Sequence, residues 1–528
     1  MKKRFKLLAG LLALTLALSG CGQPDPGAAS GQTSVSAGSQ SASAGELDVL
    51  RVGLAALPTQ LDPDRSIGIA SIKLFYNIFD TLLFTDKEGS ICGQLADSWE
   101  WLNDTTLNVT IREGVTFQNG EPCTADDVKF TFDRILSGYG DGTIAVLYET
   151  LDTVEKVDEL TVQFKLKKAD AAFEQRLGSI WGASIVPQDY VTEIGDEAFQ
   201  TAPIGTGPYQ LVQYSPEKYV LERYNGFWGE APAARQIEFI AYPEASARMT
   251  ALVTGEVDII NDVPADARDT IAATQGLSVV GSSIKNIHIY TFNTRDESSI
   301  MSNQAFRQAV TMAIDRQTLV DTLWTDYAKV PNGHQFESYG ELYIEDYPGV
   351  QYDPEKAREL VKESGYDGQE VITIEMNDGY YTNGNQAGEA IVGMLAEVGI
   401  KAQVAYTDTF SLSADIRAWS SASRFDNPLG ALWLLFGPGS SPANAEKGSW
   451  TPTEEFVAAG NTLIDSTDLE EQRAAARTLL EVFDTYCPGT YLYQAEDLYG
   501  IRDGLDWDMT YCENQIMPFR AGDLKVSG

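Results

Sequence analysis

Two spacings of hydrophobic residues recur along the chain, and each predicts a different kind of secondary structure. Short runs rich in β-branched and aromatic residues predict strands at residues 107–111, 161–166, 237–240 and 371–375. Longer runs with apolar residues three and four positions apart predict helices at residues 302–324, 353–364, 386–398 and 469–483. Because the two kinds of run alternate along the whole body, the sequence predicts a mixed α/β fold with helices packed on sheets.

The start of the chain has the composition of an export signal. Four basic residues within the first six positions precede an apolar run at residues 7–18, which is too short to cross a bilayer core of about 30 Å as a helix. The next residues, Leu18-Ser19-Gly20-Cys21, resemble the bacterial lipoprotein box, which implies that residues 1–20 are removed and that Cys21 carries a lipid. An ordinary secretory signal that contains a cysteine is the alternative.

Residues 21–45 are rich in Ser, Gly and Ala, which predicts a flexible tether between Cys21 and the folded body. We therefore expect an extracytoplasmic protein that is anchored to the bacterial cell membrane, at the cell surface or in the periplasm, by its N-terminal lipid.

Charge and size narrow the range of partners. The chain has 528 residues, with 38 Lys and Arg against 76 Asp and Glu, and a formal net charge of −38. This acidic excess argues against nucleic acid as a partner, because phosphate binding requires a basic surface, and it favours a monomer. Hydrophobic residues make up 43% of the chain, so the body is expected to fold as several packed domains.

Residues that could carry catalytic or metal chemistry are sparse. No P-loop, no G-x-S-x-G nucleophile elbow and no H-E-x-x-H motif occurs, and only His288 and His334 are available as histidines. His288 lies in an alternating run that is more typical of a core or interface histidine than of a metal ligand. Asp503, Asp506 and Asp508 are spaced somewhat like a calcium loop, but an acidic surface turn is the better interpretation. We expect no enzyme, no cofactor and no metal.

Four cysteines remain in the body, and no C-x-x-C pair is present, which argues against a zinc ribbon or a thioredoxin-like site. In an exported protein, Cys92–Cys123 and Cys487–Cys512 are the disulfides that close the shortest loops. Four free buried thiols are an equally good interpretation, because sequence alone does not choose among the pairings.

The remaining evidence for function is a series of segments that follow one another in a fixed order along the chain. The segments are GQLADSW (93–99), GVTFQNGEP (114–122), TADDVKFTF (124–132), PIGTGPY (203–209), LERYNGFW (221–228), LVTGEVD (252–258), FNT (292–294) and FRQAVTMAIDR (306–316). Taken in this order, they resemble the peptide/nickel class of extracellular solute-binding proteins of ABC importers, family 5, which includes the oligopeptide- and dipeptide-binding proteins. The resemblance covers about residues 46–520.

The resemblance implies a fold and a division into domains. The family fold is a two-lobed periplasmic-binding-protein clamp of three domains that closes over ligand at a hinge of two crossing strands. It implies a first lobe at residues 46–285 and 495–528, with an inserted domain at about 92–202, and a second lobe at residues 286–494.

The resemblance also implies where a ligand lies. In peptide-binding relatives, one extended stretch of each lobe pairs with the backbone of the bound peptide, which gives affinity without side-chain specificity. Counting along this chain places the two stretches at Ile67, Gly68, Ile69, Trp419, Ser420 and Ser421.

One position departs from the pattern of the family. Peptide binders typically have an aspartate three residues after that tryptophan and four before a proline, where it holds the ligand's α-ammonium. Here Ala422 lies three residues after Trp419, and Arg424 lies four residues before Pro428. Asp426 could substitute from a shifted loop. Otherwise Arg424 points to a ligand with an anionic or blocked end, because guanidinium pairs bidentately with carboxylate or phosphate; a surface arginine on a rearranged loop is the third interpretation.

These inferences predict a binding protein that captures a small solute, expected to be an oligo- or dipeptide, and delivers it to an ABC permease. A non-peptide anionic solute or a chelated metal is the alternative ligand. A surface hydrolase, which a turnover assay would reveal, and a receptor or chaperone lipoprotein, which would signal without supporting uptake, are the alternative classes.

Overall fold

The computed structural model describes residues 45–66, 68–140, 142–325 and 327–527. The predicted signal peptide, Cys21, the tether up to residue 44 and Ile67 lie outside the described residues. Within these ranges, no helix combines the length and the apolar composition that a membrane span requires.

The described residues form nineteen strands and fifteen α-helices. The strands are β1 (Leu47–Leu54), β2 (Leu83–Thr85), β3 (Ile91–Gly93), β4 (Ala96–Asn103), β5 (Thr106–Ile111), β6 (Leu151–Lys156), β7 (Thr161–Leu166), β8 (Tyr209–Tyr214), β9 (Lys218–Arg223), β10 (Ala234–Ala241), β11 (Ile259–Ile260), β12 (Leu277–Phe292), β13 (Ala328–Lys329), β14 (Ile372–Met376), β15 (Ala402–Tyr406), β16 (Ile416–Ala422), β17 (Gly489–Arg502), β18 (Leu505–Trp507) and β19 (Leu524–Val526). The helices are α1 (Ile69–Ile78), α2 (Ala125–Leu136), α3 (Gly142–Leu147), α4 (Phe173–Leu177), α5 (Gln188–Ile194), α6 (Asp196–Phe199), α7 (Ala245–Thr254), α8 (Arg268–Ala272), α9 (Gln304–Ala313), α10 (Arg316–Leu323), α11 (Pro354–Glu363), α12 (Gly384–Glu397), α13 (Leu432–Phe436), α14 (Glu454–Asp465) and α15 (Leu469–Tyr486).

The largest sheet contains two long strands, β12 and β17, which pair with each other. That sheet has eleven strands in the order β15-β14-β16-β12-β17-β11-β1-β10-β9-β8, with β13 added beside β17. The first half of β12 pairs with the end of β17, and its second half pairs with the start of β17. The pairing register breaks between Ser283 and Ile287 of β12. A separate four-stranded sheet has the order β4-β5-β7-β6.

The mixed α/β fold predicted from the sequence is confirmed, and the four predicted strands are β5, β7, β10 and β14. The single helix predicted at residues 302–324 is wrong, because the chain forms α9 and α10 with a break between them. Ile314 is extended there, with φ −85° and ψ 111°, and the Asp315 side chain caps α10 by accepting the Thr318 N–H at 3.0 Å. A local cap therefore overrides a helical pattern that continues across it.

The turn at Gly205 and Gly207 packs tightly against the end of α1. A Cβ added to Gly205 would lie 2.3 Å from the Ile78 carbonyl oxygen, so no side chain fits. Gln118 locks the turn, because its Nε2 donates to the carbonyl oxygens of Ile78 and Tyr209 at 2.9 and 2.8 Å. These contacts hold α1 in place beside β8.

The four cysteines of the body are free thiols, and the two short-loop disulfides are not formed. Cys123, Cys487 and Cys512 are buried, while Cys92 is partly exposed. Burial raises the pKa of each buried thiol, to about 12 for Cys487. These three cysteines therefore pack as small apolar residues.

Candidate ligand-binding site

A cavity of about 580 Å³, here named the aromatic cavity, lies between the start of α1 and the strand β16. It brings together six of the eight contact residues expected from the sequence: Gly68, Ile69, Trp419, Ser420, Ser421 and Arg424. Asp426 is not part of its lining. Two stretches about 350 residues apart in the chain therefore meet across one space.

The edge of β16 that borders the aromatic cavity has no strand beside it among the described residues. On one side, β12 pairs with β16 from Ile416 to Ala422. On the other side, β14 reaches only Ile416 and Arg417. The backbone from Ala418 to Ala422 is thus placed to pair with an extended chain that enters the cavity.

Aromatic side chains form the wall that sequence reasoning missed. The Phe410 and Trp419 rings lie 4.4 Å apart, and those of Tyr380 and Tyr381 lie 4.8 Å apart. Tyr381 also donates to Ser420 Oγ at 3.2 Å. Tyr380 is 59% exposed and Phe410 is 48% exposed, and both rings line the aromatic cavity, so they offer apolar surface to a ligand. Both belong to loops, where no periodic pattern marks them.

Arg424 contributes a cation to the aromatic cavity. Its guanidinium carbon lies 3.5 Å from the centroid of the Trp181 ring, which is itself buried. The main chain of Arg424 is fixed as well, because its N–H donates to the Gly430 oxygen at 2.9 Å and its oxygen accepts from Ser179 Oγ at 2.8 Å. The charge is therefore held in a defined place at the cavity wall.

Asp426 points to a different environment. Its carboxylate accepts from Lys285 Nζ at 2.9 Å and from Ser338 Oγ at 2.7 Å. Lys285 is 6% exposed and also lies 2.7 Å from Glu513 Oε1. Asp426 borders a separate space of about 50 Å³ rather than the aromatic cavity. The structure thus places its charge opposite a buried lysine.

A second cavity of about 380 Å³, here named the acidic cavity, adjoins the first. The two share Ile69, Asn286, Tyr380 and Tyr381 as lining residues. Its ionisable lining is Lys73, Asp262, His288, Tyr380, Tyr381, Glu496 and Asp497. Sequence reasoning missed the three carboxylates, because they come from a loop and from the irregular centre of a strand.

Burial controls the protonation of groups in the acidic cavity. Desolvation is the largest effect on Asp497 and raises its pKa to about 6, with Lys73 lowering the pKa and Asp262 raising it. Desolvation also raises the pKa of Glu496. Burial alone lowers the pKa of His288 to about 4, so this imidazole is neutral near pH 7. Asp497 therefore titrates between pH 5 and 7, whereas His288 does not.

His288 is a packed histidine, as its alternating run predicts. Its ring stacks on Tyr493 at 4.8 Å and meets Tyr381 edge-on at 4.7 Å. Within the described part of the chain, no group of three or more His, Cys, Asp or Glu residues is placed to hold a metal ion.

Comparison with solved structures defines the class of fold. Helicobacter pylori DppA, an ABC transporter-associated periplasmic binding protein in complex with the peptide STSA, superposes with a TM-score of 0.80 over 91% of this chain and 98% of DppA, at 19% identity. The binding protein AgaA of A. tumefaciens R10, in complex with agropinic acid, gives a TM-score of 0.80 over 91% of this chain and 99% of AgaA, at 20% identity. The fold is that of two-lobed periplasmic binding proteins of the oligopeptide-binding class.

Sequence comparison gives the family. Residues 90–443 match the bacterial extracellular solute-binding proteins, family 5 (middle region), and the chain belongs to this family. Over 364 residues it is 28% identical to the glutathione-binding protein GsiB of Escherichia coli (strain K12), which covers 68% of this chain and 69% of GsiB. The expectation of a family 5 solute-binding protein that acts outside the cytoplasm with an ABC transporter is confirmed.

Proposed function

We propose that this protein captures a short peptide in the aromatic cavity and delivers it to the permease of an ABC importer. The open edge of β16 from Ala418 to Ala422 carries the proposal, because an extended peptide can add to such an edge through its main chain. The relatives support a peptide as the solute, since GsiB is named for glutathione and DppA is solved with the peptide STSA.

The mechanism follows from two lobes that close on the solute. We assign residues 46–285 and 495–528 to the first lobe, with an inserted domain at about 92–202, and residues 286–494 to the second. The break in the pairing register of β12 with β17, between Ser283 and Ile287, supports this division. The solute touches both walls of the cavity and so stabilises the closed arrangement that the permease recognises.

The cellular placement is part of the same proposal. The basic start of the chain, its short apolar run and the residues Leu18–Cys21 support export and a lipid on Cys21. The role is one of capture rather than catalysis, and the protein acts as a monomer that meets the membrane through its lipid and its permease.

Methylation of the peptide backbone tests the proposal. The full chain is purified in detergent, and binding of tetra-alanine is compared by calorimetry with tetra-alanine methylated at one internal amide nitrogen. Loss of a main-chain hydrogen bond at a desolvated edge should weaken binding by about tenfold or more. Replacement of one alanine side chain by serine is the control and should change affinity by less than about threefold. Equal binding of the methylated and unmethylated peptides would refute pairing along β16.

A second candidate solute is a small organic anion, which Arg424 favours. The cation lies at the wall of the aromatic cavity over Trp181, where the common ammonium-binding aspartate of peptide binders is absent. The relative AgaA is solved with agropinic acid. Binding of such acids by the full chain, with no response to any alanine peptide, would favour this alternative.

A further inference from the structure

The wall between the two cavities carries a buried polar atom that lacks a partner. Asn286 is 2% exposed and lines both cavities. Its Nδ2 donates to Gln515 Oε1 at 3.5 Å, but its Oδ1 is buried and has no hydrogen-bond partner among the described residues. Burying an acceptor without a hydrogen bond is unfavourable, so a bound donor at this oxygen would be stabilising.

Three carboxylates, those of Asp262, Glu496 and Asp497, line the same cavity as Asn286. Among the described residues, Asp497 accepts a long hydrogen bond from Tyr499 OH, at 3.4 Å, and Asp262 Oδ2 accepts from Asn261 Nδ2 at 2.7 Å. Lys73 is the one cation in the lining of the acidic cavity. Three acids against one lysine leave an excess of negative charge in a partly desolvated space, which a bound cation would relieve.

The loop that presents Asp262 is held in an uncommon conformation. Asp262 has a φ of 48°, in the left-handed region that a residue with a side chain adopts at a cost. Arg248 supports it, because Nη2 donates to the Asp262 oxygen at 3.0 Å and Nε donates to the Asn261 oxygen at 3.0 Å. Backbone strain that is supported by a buried arginine is typical of a binding or catalytic position.

An ammonium group suits this lining better than a metal ion. Ammonium has three donors and can satisfy an amide oxygen together with carboxylates. The described residues contain no cluster placed to hold a metal ion. Asp426, which could have substituted as the ammonium partner from a shifted loop, lies outside the aromatic cavity and is paired with Lys285.

We propose that the acidic cavity binds the ammonium group of the captured solute through Asn286 Oδ1 and the carboxylates of Asp497 and Asp262, while Arg424 faces the anionic end in the aromatic cavity. The inference rests on the proposed function and deepens it. The solute is then zwitterionic, its charged ends lie on either side of Asn286, and its cationic end lies near the break in the pairing of β12 with β17.

The test distinguishes binding of an ammonium group in the acidic cavity from capture of a peptide in the aromatic cavity. Calorimetry on the full chain in detergent uses di-, tri- and tetra-alanine, their N-acetyl derivatives and n-butylamine. The variants are Asp497→Asn and, as a matched control, Asp503→Asn on an exposed turn. We take the alanine peptide that binds most tightly. N-acetylation of this peptide and the substitution Asp497→Asn should each weaken its binding at least tenfold, and combining the two should cause no further loss of affinity. Asp503→Asn should leave affinity within twofold.

The other outcomes distinguish failure of the ammonium site from failure of peptide capture. Alanine peptides that bind equally well with and without an acetyl group would support peptide capture and overturn the ammonium site. Butylamine that binds in an Asp497-dependent way, without any peptide binding, would support the ammonium site and refute the peptide. Absence of binding by both probes would overturn both proposals.

Discussion

The guanidinium of Arg424 lies over the Trp181 ring, with 3.5 Å between its central carbon and the ring centroid. Trp181 comes from the segment before α5, and Arg424 follows β16, so the contact joins two distant parts of the chain. A guanidinium over an aromatic ring can add planar contact to the cation–π attraction, whereas a lysine ammonium gains only the attraction. This position of Arg424 supports our proposal that the anionic end of the solute, such as a carboxylate, lies in the aromatic cavity.

Replacing Arg424 by lysine should discriminate between solutes by their anionic end. We expect Arg424→Lys to weaken binding of a ligand with a free C-terminal carboxylate about tenfold, because the bidentate geometry is lost while the charge is kept. Binding of the same ligand with a C-terminal amide should be unchanged. Calorimetry with both ligands measures the ratio. The matched control is Arg112→Lys, since Arg112 also lies over a tryptophan, Trp228, at 5.4 Å but outside the cavity. An equal loss with the amide would contradict a role in carboxylate binding.

Affinity for an amine should fall on acidification through about pH 6. Asp497 has its pKa raised to about 6, first by desolvation. The groups that face or flank it are Lys73 on α1, Asp262 after β11, His288 on β12, and Glu496 and Tyr499 on β17. Below that pKa the carboxyl is neutral and attracts no cation, while His288 stays neutral down to about pH 4.

Calorimetry with n-butylamine at pH 5 and pH 7.5 measures this dependence. Because binding a cation favours the ionised carboxylate, association should be about tenfold weaker at pH 5 and should release protons at pH 6. Asp497→Asn should flatten the profile. A profile that is as steep in Asp497→Asn as in the wild type would assign the titration to another group.

A pair of glycine substitutions tests the packing of the helices. A Cβ on Gly460 in α14 would lie 2.0 Å from the Trp433 ring, which stacks on Phe456. Gly460→Ala should therefore cost about 1–3 kcal/mol of unfolding free energy through overpacking. Gly393 in α12 is exposed and has nothing within 4 Å, so Gly393→Ala should stabilise by about 0.5–1 kcal/mol. Denaturant titration measures both, and equal effects would contradict the packing argument.

A buried ion network supports the wall that contains Gly68. Arg134 Nη2 lies 2.7 Å from Asp62 and Nη1 lies 2.5 Å from Asp64, and both carboxylates are fully buried. Desolvation and the neighbouring Asp62 raise the pKa of Asp64, because two acids share one arginine. Arg134→Met leaves these charges without a cation and should cost about 3–5 kcal/mol.

The third acid of this network provides the control. Asp196 lies 3.0 Å from Arg134 Nη2, but its side chain is 50% exposed. Asp196→Asn should cost less than about 1 kcal/mol, because exposed ion pairs contribute little. Denaturant titration compares the two variants. Similar losses for Arg134→Met and Asp196→Asn would show that the pairs with Asp62 and Asp64 do not carry the stability.

Local patterns predicted much of the fold. Asp353 before Pro354 predicts a helix start, and the Asp353 carboxylate does accept the Lys356 N–H at 2.8 Å. The break between α9 and α10 was not predictable from periodicity, since apolar spacing continues through Ile314. Whether the helix continues there depends on one capping side chain, Asp315, which competes with the helix for a backbone N–H.

The candidate site was predictable only where the chain carries ordered motifs. Counting from them placed Gly68 and Trp419 on facing walls of one cavity. The carboxylates of the acidic cavity were not predictable, because nothing near Asp497 in the sequence distinguishes it from a surface acid. The ion pair of Asp426 was not predictable either, since its partner Lys285 lies 141 residues away in the sequence. Pairings over such separations follow from the packed sheet rather than from any local pattern.

The free thiols have a consequence for where such a protein can work. Cys123, Cys487 and Cys512 are buried with raised pKa values, so they form little thiolate and resist oxidants. The described chain reaches its folded form without an oxidation step. Folding of the described residues therefore requires no disulfide-forming catalyst, and these residues would keep their structure in anoxic and in aerated surroundings.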